Sequence, residues 1–137
     1  MYKYTKRKNP SMYRFLLCEC NTQLPIVQLP ALAEVVKQYS TVKENARYLL
    51  ILDAVKTSRI SDDGTMVFIE MTTQIPKKRL LSLCDEAIAT FIYEAHCERW
   101  GMEAGIPKET TAKISFFMLM KHVFKTAEYT PLCIDEN

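Results

Sequence analysis

Between Lys77 and Trp100 the apolar residues fall at Leu80, Leu81, Cys84, Ala87, Ile88, Phe91, Ile92 and Ala95. These positions trace one stripe along a 3.6-residue repeat, which predicts a single long amphipathic helix. Gly101 stands where a left-handed cap would end it. A helix with such a stripe must bury it against a second layer, so the chain has to supply a sheet or further helices to receive it.

Two other segments carry the same start signal. Leu29-Pro30, Ile75-Pro76 and Ile106-Pro107 each precede a helical pattern, with proline where a helix loses no needed donor. The first helix is expected over about Pro30 to Tyr39 and the last over about Pro107 to Glu128. Met12 to Cys20 alternates, with Tyr13, Phe15 and Leu17 on one face and Met12, Leu16 and Cys18 on the other, and reads as a strand. Thr65 to Thr73 alternates in the same way. Tyr48 to Val55 has two readings. Thr41 and Glu44 form a capping-box pattern ahead of it, which favours a helix. As a strand it would pair with Thr65 to Thr73 across Ser61-Asp62-Asp63-Gly64, in the order of a split βαβ unit.

Both readings give an α+β chain dominated by helix, with a small antiparallel sheet of two to three strands packed by three to four helices. Residues 1–11 form a basic lead-in and residues 12–137 one domain. With 137 residues, 48% of them apolar, the chain can bury a core without metals or disulfides.

Most chemistry is excluded by residue type. Three glycines leave no glycine-rich phosphate cradle. Ser61 to Thr65 reads as a turn, with Ser61 standing where a phosphoryl-transfer loop would need its nucleophilic aspartate. Five cysteines, an odd number without the spacing of paired zinc ligands, read as free thiols in a reducing compartment. His96 and Cys97 diverge by about 100° on a helix and make no dyad. Asp85, Glu86, Glu94 and Glu98 lie mostly off the stripe and read as a solvated face. No catalytic residue, metal or cofactor is therefore expected, and no small-molecule substrate. The amino end is charged and no apolar run approaches the ~18 residues of a membrane span, so a cytoplasmic location is expected.

What remains is surplus apolar surface. Ala89, Tyr93, Cys97 and Trp100 form a second row outside the stripe, and Ile114 to Met120 is apolar nearly all round. A helix with two apolar faces must cover both, against its own fold or another chain. Tyr93, Cys97, Trp100, Phe116, Phe117 and Met120 are the expected contact residues of a non-enzymatic protein-binding or regulatory module that self-associates. Lys77, Lys78 and Arg79 oppose the helix dipole at the opening turn and would form its electrostatic rim. The alternative partner is nucleic acid. Lys3, Lys6, Arg7 and Lys8, with Arg14, would meet phosphate, and a sheet face bearing Tyr13, Phe15 and Phe68 would stack on bases.

Overall fold

Alternation along Met12–Glu19 (β1) turns Phe15 and Leu17 inward and Arg14, Leu16 and Cys18 to the opposite face. The computed structural model describes residues 11–19, 26–62, 67–101 and 108–133. Within them β1 is an inner strand of an antiparallel sheet of order β2-β3-β1-β4, with β2 at Arg59–Asp62, β3 at Val67–Thr73 and β4 at Glu128–Leu132. Phe15 pairs with Met71 and Tyr129, and Ile60 with Ile69, so these residues share the core face.

Four helices of more than one turn are described: α1 (Leu29–Tyr39), α2 (Val42–Lys56), α3 (Lys77–Gly101) and α4 (Lys108–Thr126). The α+β class expected from the sequence is thus present, with a sheet of four strands rather than two or three.

The ambiguous segment is helical. Thr41 Oγ1 accepts the Glu44 backbone N–H at 3.1 Å, and Glu44 Oε1 accepts the Thr41 N–H at 3.4 Å. A reciprocal cap of this kind fixes the first turn of α2. Tyr48, Ile51, Leu52 and Val55 then recur at helical spacing and are all buried. The strand that pairs with β3 is instead the short polar Arg59–Asp62. The last helix ends two residues earlier than expected. Ala127 donates to the Val123 carbonyl at 2.9 Å, and the chain then returns as β4 beside β1.

The core lies between one sheet face and the helices. It joins Phe15, Leu17, Val67, Ile69 and Met71 of the sheet to Leu80, Leu83, Cys84, Ala87 and Phe91 of α3 and to six apolar residues of α4. Each fully buried side chain of this size contributes about 1.5–3 kcal/mol. Tyr48, Phe91, Phe116 and Phe117 form an aromatic group with ring centroids 4.9–6.0 Å apart. Phe15 contacts Phe124 and Tyr129 at 5.0 and 5.1 Å. No described helix is long and apolar enough to cross a membrane.

Candidate interaction surface

The residues expected to form one contact surface separate into core and exterior. Phe116, Phe117 and Met120 are fully enclosed within the single chain. This corrects their assignment to an interface. The apolar run is covered from several sides at once, by α3, by α1 and by β1. Positions 116, 117, 119, 120, 123 and 124 all point inward, and Met118, roughly opposite in helical phase, is the one that emerges, 55% exposed.

The α3 residues fare differently. Tyr93 is 69% exposed and Ile92 50% exposed. Cys97 is exposed one turn beyond Tyr93, and its hydrogen bond with the Tyr93 hydroxyl raises the phenol above its ordinary range. Trp100 belongs to the last turn of α3, and its side chain lies outside the described residues. Ile92 was expected in the core stripe. The stripe that is buried runs through Leu80, Leu83, Cys84, Ala87, Phe91 and Ala95, which displaces Ile92 and the half-buried Ile88 to its margin.

That margin borders a groove. Asp85 and Ile88 of α3 and Met118, Lys121, His122 and Lys125 of α4 line a shallow cavity of about 310 Å³. Lys121 Nζ lies 2.7 Å from Asp85 Oδ1, and His122 Nε2 lies 2.8 Å from Glu19 Oε1 at the end of β1. The groove thus has an apolar floor, one acid on the α3 side and three basic or imidazole side chains on the α4 side.

Lys77, Lys78 and Arg79 occupy the end of α3 away from Tyr93 and Cys97. At 1.5 Å per residue they stand about 21–24 Å from Tyr93 along α3. Lys77 packs instead on β4. Its ammonium lies 5.8 Å from the centre of the Tyr129 ring, and its backbone N–H donates to Tyr129 Oη at 3.4 Å. Lys3, Lys6, Arg7 and Lys8 lie outside the described residues.

The sheet face expected to stack on nucleic acid is also divided. Phe15 is buried, and Tyr13 packs against the core with its ring parallel to Tyr129 at 5.7 Å. Phe68 is on the other face, because it pairs with Cys18 and not with an odd-numbered residue of β1. A one-residue difference in register parity separates the three aromatics. Beside Phe68, Glu70 is gripped by Arg59 and by Arg14, the latter at 2.6 Å. Hydrogen bonds from Arg59, then Arg14, hold the Glu70 carboxyl below its usual range. Both arginines of this face are therefore already paired.

Cys84 is buried, and desolvation pushes its thiol up to about 12, which leaves no thiolate at neutral pH. Asp85 pairs with Lys121 and Glu86 with Arg47, as expected of a solvated face. No group of three or more potential metal ligands occurs among the described residues.

Sequence reasoning passed over Lys121 and Lys125, placed Ile92 in the core stripe, and included Met118 only as part of the apolar run from Ile114 to Met120. The signals were the outlying phase of Met118 within an inward-facing run and the four-residue spacing of the two lysines. No protein-family model matches the chain, and no curated protein or solved structure shows significant similarity to it.

Proposed function

We propose that this chain is a small non-enzymatic binding and regulatory module that works by protein–protein contact and associates with itself through the outer face of the α3–α4 hairpin. One observation carries the reading. Met118 lines the apolar-floored groove and Ile92 lies one helical turn beyond its Ile88; with the neighbouring Tyr93 both are half exposed or more, while the core-facing stripes of the two helices are buried. Isolated exposed apolar residues are ordinary, but an apolar group rimmed by charge is typical of a contact site. Tyr and Met are also enriched in protein interfaces. Four cysteines that form no disulfide among the described residues accord with a reducing, cytoplasmic setting.

Size-exclusion chromatography with light scattering tests the proposal. The wild-type chain is expected to exceed its 15.9 kDa monomer mass as concentration rises. Ile92→Glu and Tyr93→Glu are expected to hold it at the monomer mass with unchanged circular dichroism. A wild-type chain that keeps the monomer mass throughout would end this reading.

A further inference from the structure

Resting on that self-associating reading, the distribution of charge across the groove identifies how two copies meet. Asp85 is level with Lys121, and Ile88 faces Met118, so residue numbers rise along α3 as they fall along α4 and the helices are antiparallel. The acid of the groove is on α3. Its bases, Lys121 and Lys125 together with the imidazole of His122, are on α4. Lys125 has no carboxylate partner among the described residues.

We infer that the occupant of the groove is a second copy of this chain, related by a two-fold axis that runs parallel to α3 and α4. With the helices of the two copies aligned, a two-fold axis between the hairpin faces runs either across the helices or along them. An axis across the helices sets α3 on α3 and α4 on α4, which brings base against base. An axis along them keeps every residue at its own level and sets α3 of one copy on α4 of the other. Asp85 then meets Lys121 of the second copy, with Lys125 one turn away. The two internal pairs merge into a four-charge cluster of alternating sign.

The apolar residues obey the same operation. Ile88 lies over Met118 of the second copy, Met118 lies over its Ile88, and Ile92 is covered one turn further on. Such a contact is isologous, each patch being its own partner. The four helices would form an up-down arrangement in which every neighbour is antiparallel.

The footprint sets the strength. The 19 residues of α4 are about 28 Å long, and two helices side by side are about 20 Å wide. The contact would bury roughly 1,100 Å² in total, at the low end for specific interfaces, which implies a reversible dimer.

Charge reversal in separate chains is the test. Asp85→Lys leaves a groove with bases on both sides, and Lys121→Glu leaves acids on both. Each variant alone is expected to lose at least tenfold in self-association by sedimentation velocity. An equimolar mixture is expected to recover dimers, because one face now complements the other. That recovery also requires both variants to be folded. If circular dichroism shows either one unfolded, Asp85→Asn and Lys121→Gln are expected to show the same loss singly. A wild-type chain that never dimerises removes the self-association reading itself. A wild-type dimer that neither reversal weakens, or single variants whose mixture stays monomeric, overturns the two-fold arrangement and leaves self-association standing.

Discussion

The Lys113 ammonium lies 4.9 Å from the centre of the Phe91 ring and donates a 3.1 Å hydrogen bond to the carbonyl of Tyr39, the last residue of α1. Lys113 is only 6% exposed, so its charge is held inside the protein by a ring face and a helix C-terminus. Both favour a cation. One side chain of α4 thereby fixes the end of α1 and the middle of α3.

Replacing this lysine by a residue of similar length isolates that role. Lys113→Met is expected to lower stability by about 1–3 kcal/mol, because the Tyr39 carbonyl loses a charged donor. Urea denaturation measures it. A Met variant more stable than the wild type would show that desolvation of the ammonium outweighs both contacts, as happens for some buried ions.

The division between core and exterior predicts two groups of substitutions on neighbouring positions. Phe91→Ala and Phe117→Ala are expected to cost about 3–5 kcal/mol each. Tyr93→Ala and Met118→Ala, two and one positions away, are expected to stay within about 0.5 kcal/mol of the wild-type monomer. Denaturation at a concentration too low for association makes the comparison. Equal losses in the two groups would mean that the exterior residues are packed.

Glu70 gives the outer sheet face a pH dependence of defined sign. Its carboxyl is held below the ordinary range in the folded state by Arg59 and Arg14, so its contribution to stability is complete above the unfolded carboxylate range. The contribution declines as pH falls through the lower folded value. The melting temperature of wild type is therefore expected to exceed that of Glu70→Gln at pH 7, and the gap to close in acid and to shrink in high salt. A gap that is constant with pH would assign the difference to packing.

The cysteines separate by environment. Iodoacetamide at mildly alkaline pH is expected to modify exposed Cys18, Cys97 and Cys133 and to spare Cys84, whose thiol burial pushes up to about 12. Mass spectrometry of the native and the urea-unfolded protein reads this directly. Rapid labelling of Cys84 in the native state would place it at an accessible surface.

Periodicity made the long helix legible, because a stripe repeated over six turns has no competing reading. Capping chemistry favoured a helix after Thr41, and the structure forms it. The edge strands were not legible. Arg59–Asp62 is four residues, mostly polar, and Glu128–Leu132 contains Pro131, so neither shows a strand pattern by itself. Their pairing is dictated by β3 and β1, which are distant in sequence. The same limit governed the surface. Composition showed more apolar residues on the last two helices than one stripe needs, but only the packing of α1 and β1 against α4 decided that Phe116, Phe117 and Met120 are enclosed. What stays outside, Ile92, Tyr93 and Met118, depends on helical phase relative to neighbours that no local pattern specifies.

Sedimentation equilibrium of the wild-type chain, from about one to about a hundred micromolar, tests the central claim most directly over the range suited to a small interface. The account predicts a weight-average mass that climbs from the 15.9 kDa monomer toward twice that value, and a flat monomer profile for Ile92→Glu. A wild-type mass that stays at the monomer value across the whole range would contradict it.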